Sequence, residues 1–206
     1  MSQQLISSNE LGNITNFNSG STLSLKTNNT TALYIDGSQK VGIGTTSPTA
    51  KLHVFGSDAI INGLTVGLGG GSAGGTTVVG NGAVAATNTG DYLTAVGQYA
   101  LATNTSGTQN SAFGRQSLNQ NTTGSYNSAF GHTTLYSNTT GSFNAAVGRD
   151  ALFSNTTASN NTAVGYQAGY SNTTGTYLTA VGNQAAYSNT TGSGNSAFGL
   201  SALLNN

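Results

Sequence analysis

The chain has 206 residues, of which 5 are basic, 5 acidic and 2 histidine, giving a formal net charge of zero. So neutral a chain lacks the basic surface that phosphate recognition requires, which argues against nucleic acid as a partner. It has no cysteine, so disulfide staples and thiolate metal sites are excluded, and no apolar run approaches the ~20 residues that a membrane-spanning helix needs.

Residues 1–20 are polar, with scattered Leu5, Ile6, Leu11, Ile14 and Phe17. They read as an attachment or capping segment, with a frayed terminus as the alternative. The opening MSQQLISSNELGN has no basic start followed by an apolar core, so no secretory signal is expected there. Residues 21–67 are expected to form a small β-rich shoulder domain. Leu23 and Leu25, Leu33 and Ile35, Val41 and Ile43, and Leu52 and Val54 each stand two apart, the period of a strand with one buried face. Asp36-Gly37 reads as a hairpin turn, and 59–67 (AIINGLTVG) offers another strand or two. Four strands this short cannot make a self-sufficient core, so the region is expected to be a trimerisation element. The run Leu68 to Gly75 is either a flexible linker or a close approach of three backbones at a trimer axis, and marks the expected domain boundary.

Residues 76–206 repeat one unit. Gly80, Gly97, Gly114, Gly131, Gly148, Gly165, Gly182 and Gly199 are spaced by 17 residues without a slip. A strict period of this kind marks a solenoid rather than a disordered low-complexity tract. The residue before each glycine is always Val or Phe. The one before that is Val78 and then Ala in every later copy. Four residues after the glycine the chain is mostly Leu, and the polar turn N-T-T-G follows. The expected coil is flat, with two short strands and two turns. Its stacked core is expected to be Val96, Phe113, Phe130, Val147, Val164, Val181 and Phe198. Seven steps of ~4.8 Å give a roll only about 34 Å long, against roughly 390 Å if the chain ran along the axis. The recurring Asn-Thr-Thr triplets match glycosylation sequons, but turn chemistry explains them, and stacked Asn side chains can form amide ladders.

The pattern N-[ST]-A-[VF]-G-x-x-A resembles the head repeat of trimeric autotransporter adhesins, a parallel β-roll with three chains side by side. Here Thr or Ser stands where that family has a larger residue, as in Thr94 to Gly97, and the period is longer. The phrases A-V-G-Y-Q-A and S-N-T-T-G, within residues 94–206, resemble the repeats of bacteriophage tail-fibre proteins. Tyr34 to Val54 (YIDGSQKVGIGTTSPTAKLHV) is similar to a shoulder element found upstream of such repeats. The resemblance implies an all-β homotrimer: a β-roll or β-solenoid preceded by a small β-rich trimerisation region. It also implies a structural tail fibre or similar appendage on the virion, joined to another virion protein through its N-terminal region. Host-surface attachment, to a glycan or a protein, is a further role. The alternative is a fragment of a bacterial trimeric surface adhesin head.

No catalytic constellation stands out, and no cofactor or metal ligand set is expected. His53 and His132 read as surface or packed histidines. Glu10, Asp36, Asp58, Asp91 and Asp150 are far apart in sequence, with no pair placed for glycoside hydrolysis. The residue after each glycine varies freely, as Asn81, Gln98, Arg115, His132, Arg149, Tyr166, Asn183 and Leu200. Arg115, His132, Arg149 and Tyr166 are therefore the receptor-facing candidates. Two aromatic columns accompany them: Tyr136, Phe153, Tyr170 and Tyr187 five after the glycine, and Tyr92, Tyr126, Phe143 and Tyr177 twelve after it. The Leu-rich end (Leu200, Leu203, Leu204) is expected either to cap the last coil or to have been covered by a segment beyond it.

Overall fold

The structure, a computed structural model, describes residues 22–27, 30–54, 59–61, 64–67 and 74–205. The expected attachment segment 1–20 and most of the glycine run, 68–73, lie outside them. The described residues contain strands and turns but no α-helix. The chain divides into two units, Met1–Gly56 and Ser57–Asn206.

The first unit carries one four-stranded sheet in sequence order, β1 (Leu23–Thr27), β2 (Thr30–Ile35), β3 (Val41–Ile43) and β4 (Leu52–Val54). β1–β2 and β2–β3 are antiparallel and β3–β4 is parallel. Asp36 makes the predicted turn. Its Oδ1 accepts from the backbone N–H groups of Ser38 and Lys40, both at 2.9 Å, closing an Asx-type turn between β2 and β3. Leu25, Ile43 and Leu52 remain exposed on this sheet, in line with the small core expected of so few residues.

The second unit is one ten-stranded sheet. It opens with β5 (Ala59–Ile61) and β6 (Leu64–Gly67), which pair antiparallel with each other, and β6 pairs antiparallel with β7 (Thr77–Val79). Then follow β8 (Thr94–Val96), β9 (Ser111–Phe113), β10 (Ser128–Phe130), β11 (Ala145–Val147), β12 (Thr162–Val164), β13 (Thr179–Val181) and β14 (Ser196–Phe198), all parallel and in register. Each therefore sits one coil along from the last, and the repeats stack across the axis as a parallel β-solenoid. Two expectations need correction. The strands in 59–67 belong by pairing to the solenoid and not to the shoulder, so the division falls at 56/57. Each coil also contributes one three-residue strand rather than two.

The rest of each coil is made of turns with left-handed corners. Leu101, Leu118, Leu135 and Leu152 take φ of 48–52°, a conformation that costs a non-glycine residue roughly 1–2 kcal/mol. Two gains offset that cost. Each leucine is fully buried, and its N–H donates to the next coil, as from Leu135 to Ala151 O at 3.0 Å. The landmark glycines are needed because coils meet there backbone to backbone. A Cβ at Gly131, whose φ is +140°, would lie 2.6 Å from Gly148 O.

The interior differs from the expected one. A three-residue strand points only its middle residue inward, and that residue is Val78 and then Ala95, Ala112, Ala129, Ala146, Ala163, Ala180 and Ala197, all essentially inaccessible. The column expected to form the core, Val96, Phe113, Phe130, Val147, Val164, Val181 and Phe198, points the other way. Phe113, Phe130, Val147, Val164 and Phe198 are exposed, and Val96 and Val181 half-buried. The physical reason is room: Ala methyls face the buried leucines and two columns of buried asparagines, leaving no space for a ring. The column does stack, outside the coil, with the Phe113 and Phe130 rings 4.9 Å apart and nearly parallel.

The asparagines explain the N-T-T-G motif. Seven residues after the glycine, Asn104, Asn121, Asn138, Asn155, Asn172 and Asn189 form an amide ladder. Each Nδ2 donates to the Oδ1 of the preceding rung at 2.6–3.2 Å and to a backbone carbonyl of its own turn at 2.9–3.0 Å. The first rung is Asn88, 16 residues before Asn104, so the first coil places it one residue later. A second column, Asn110, Asn127, Asn144 and Asn161, accepts the next coil's backbone N–H and donates to a carbonyl of the next turn. No buried side-chain polar atom among the described residues lacks a partner, as a buried network must achieve to be stabilising. Burial also closes the Asn121, Asn138 and Asn155 sequons to glycosylation in the folded chain.

Candidate functional site

With the interior occupied by Ala, Leu and Asn, functional side chains stand on the outer columns, and two of these faces are distinctive. The first is the strand face. Its outward positions are the Ser, Thr or Ala that opens each strand, the Val or Phe that closes it, and the residue twelve after the glycine. None of these is charged in any coil. Tyr92, Phe113, Tyr126, Phe130, Phe143, Val147, Val164, Tyr177 and Phe198 are all exposed here. Phe113–Phe130 and Tyr126–Phe143 stack along the axis at 4.9 and 4.8 Å.

The second face begins just after the glycine. Arg115, His132, Arg149 and Tyr166, the receptor-facing candidates, are all exposed in one column on consecutive coils. Parallel in-register stacking brings them together, because residues 17 apart become neighbours. Arg115 donates from Nε to Gln98 Oε1 at 3.3 Å, and its NH1 lies 3.2 Å from His132 Nε2. His132 Nδ1 in turn lies 2.9 Å from Thr133 Oγ1, and Thr133 Oγ1 donates to Asp150 Oδ1 in a short bond. Asp150 Oδ2 sits 3.3 Å from Arg149 Nε, and the Arg149 guanidinium lies over the Tyr166 ring, 5.8 Å from its centroid. A polar track thus runs unbroken from Gln98 to Tyr166.

Asp150 and Thr133 are the members that sequence reasoning missed. Both stand two after a glycine, in a column whose residues turn through a left-handed corner, so that their side chains fall back beneath the exposed column. Asp150 is buried with two partners, Thr133 and Arg149. Beside the track, Tyr136, Phe153, Tyr170 and Tyr187 stack at 5.1–5.2 Å with planes within 5–6°. Burial raises the Tyr170 pKa above its usual value, with Tyr187, Asp150 and Tyr166 adding to the shift. Phe153 and Tyr170 present edges rather than faces, since a neighbouring ring covers each of their faces. His53 lies in β4, in register with Gly42 of β3. Among the described residues, no three His, Cys, Asp or Glu side chains come together as a metal site.

Comparison with protein-family models, with curated proteins and with solved structures finds no match.

Proposed function

We propose that this protein is a structural fibre of a virus particle, a tail fibre or similar appendage. It assembles as a homotrimer with the solenoid projecting outward, contributes to host-surface attachment and performs no catalysis. In this reading the N-terminal region docks on another virion protein, and nucleic acid and membrane play no part. The observation that carries it is the strand face. Nine large apolar or aromatic side chains stand exposed along it, each worth on the order of 1 kcal/mol if covered by another copy. That total is comparable with the ~4–15 kcal/mol cost of association. The face is uncharged and repeats from coil to coil, so copies placed side by side with parallel axes meet like against like along its length. The exposed Leu25, Ile43 and Leu52 of the first unit call for the same remedy. The tail-fibre-like motifs of residues 34–54 and 94–206 supply the virion context.

Native mass measurement of the purified chain tests the assembly, and labelling of intact particles with an antibody to the solenoid tests the location. Trimers and peripheral labelling are expected. A folded, stable monomer at micromolar concentration overturns the assembly, and absence from particles overturns the virion assignment.

A further inference from the structure

We propose that the column Arg115–His132–Arg149 is a binding site for an acidic polysaccharide that carries a carboxylate on every second sugar. The inference deepens the attachment role proposed above and rests on that role for its biological setting, but not on the trimer. The placement of charge is the first observation. From residue 76 onward the chain has two arginines and one histidine and no lysine. All three basic side chains fall in one of the seventeen columns, on three consecutive coils. No feature of the fold requires this, because the same column holds Asn, Gln, Tyr and Leu in other coils without disturbing the stack.

The second observation is how the arginines are held. Arg115 is pinned through Nε by Gln98 and Arg149 through Nε by Asp150. In each case that contact leaves the terminal nitrogens unused. Arg115 gives part of one, NH1, to His132. The Arg149 side chain is 64% exposed, and Tyr166 supports its guanidinium plane from the next coil. Two guanidinium groups thus offer the end-on fork that pairs with a carboxylate. These contacts bias both arginines toward one arrangement before any ligand arrives, which lowers the cost of binding.

Spacing selects the polymer. The two arginines are two coils apart, about 10 Å along the axis. An extended pyranose chain advances by about one coil per sugar, so carboxylates on alternate sugars reach both forks while the sugar between them crosses His132. A nucleic acid, with a charge every ~1.7 Å of duplex, would find two forks and little else. Stacking of neutral sugars on Phe153 and Tyr170 in the neighbouring aromatic column is closed, because their ring faces are covered by their neighbours. Recognition therefore falls to the charge-assisted hydrogen bonds.

The test uses the full chain and fluorescence anisotropy with end-labelled oligosaccharides of hyaluronan and of unsulfated chondroitin, both of which alternate an acidic with a neutral sugar. Their carboxyl-reduced forms and inorganic polyphosphate are the comparisons. At least one acidic oligosaccharide is expected to bind, with its reduced form about tenfold weaker or worse, the loss of one charge-assisted bond. Arg115→Gln, at an exposed residue with no carboxylate partner among the described residues, is expected to lower affinity severalfold. Arg149→Lys keeps the charge beside Asp150 but removes the fork, and is expected to do the same. Failure of both acidic oligosaccharides to bind, equal binding of the reduced form, equal binding of polyphosphate, or unchanged affinity in both variants overturns the proposal. Sedimentation of the same samples separates the readings. Trimers that do not bind overturn this site and leave the fibre standing, whereas a folded monomer that binds carboxylate selectively overturns the trimer and supports the site.

Discussion

Asn138→Ala probes the amide ladder where it is most enclosed. The side chain is inaccessible to solvent. It donates to Asn121 Oδ1 at 2.8 Å and to Gly141 O at 2.9 Å, and accepts from Asn155 Nδ2 at 2.8 Å. Truncation does not strand all three partners. Gly141 O keeps Asn127 Nδ2 at 2.9 Å, and Asn155 Nδ2 keeps Ala158 O at 3.0 Å through its other hydrogen. Left unpaired are Asn121 Oδ1 and one N–H of Asn155. At roughly 1–3 kcal/mol for each buried orphan, the loss is about 4 kcal/mol, a large part of the ~5–15 kcal/mol that stabilises a typical domain. With a urea slope of about 2 kcal/mol/M, the midpoint falls by about 2 M. Asn138→Asp, of nearly the same shape, sets an acceptor against the two acceptors Asn121 Oδ1 and Gly141 O and is expected to lose at least as much. The control is Thr140→Ala, two residues along and exposed, expected to change stability by less than about 0.5 kcal/mol. Equilibrium urea unfolding followed by circular dichroism reads all three. A midpoint for Asn138→Ala indistinguishable from that of Thr140→Ala would refute the view that the ladder holds the coils together.

Phe113→Asp and Phe130→Asp place a charge on the strand face; because both rings are exposed in a single chain, the lone solenoid should still fold, and if the proposed trimer forms through this face, native mass shows it lost. Gly131→Ala is expected to destabilise by several kcal/mol, since its Cβ would meet Gly148 backbone, whereas Gly199→Ala, with nothing within 4 Å, should be far milder; thermal unfolding ranks them. Tyr170 has a raised folded pKa, so the native state holds its proton more tightly than the unfolded chain, and the stabilisation present below pH ~10 is lost as pH rises through the folded value. Tyr170→Phe should flatten that alkaline loss in denaturation measured from about pH 9 to 11. Leu200 is 77% exposed and Leu203 42% on the last coil; if three copies close over this end, Leu200→Ser with Leu204→Ser lowers trimer yield and melting temperature together, and unchanged values remove the leucines as a cap.

Much of this fold was legible because the period is strict. Register follows directly from it: residues 17 apart are neighbours, which is why the sequence alone groups Arg115, His132, Arg149 and Tyr166. The facing of the strand was not legible. Val or Phe beside Ala reads as a core residue beside a spacer, since apolar size is the usual sign of burial. Here the interior is too thin for a ring, and the small residue is the buried one. Asparagine burial was half legible, because a repeated Asn-Thr-Thr-Gly reads as a turn and only the stacked geometry shows that the amide faces inward. The left-handed leucines gave no signal at all. Leucine does not favour positive φ, and only the ladder bonds and burial of each coil hold it there. Gly169 in the same column, at φ 61°, is the one residue there that hints at the strain.

The division of labour within the coil has a consequence for function. Backbone groups are satisfied by the coil above and the coil below, and the interior is fixed by Ala, Leu, Asn and Gly at set positions. The outer columns therefore bear little of the stability. A change at one outer position meets mainly its own column on adjacent coils, as the ring stacks and the Gln98–Arg115–His132 contacts illustrate. The two faces can then answer to different demands. The strand face is held to uncharged residues through all eight coils, with Val or Phe closing every strand, as a continuous contact surface must be. The column after the glycine changes character from amide to cation to aromatic within six coils, as a surface that meets a ligand over a limited length can. An arginine placed elsewhere in that column, as in Asn183→Arg, should fold without penalty, whereas arginine in the strand-face column, as in Val164→Arg, should spare the single chain and prevent its association. Uniform tolerance at both positions would mean that the strand face is ordinary surface.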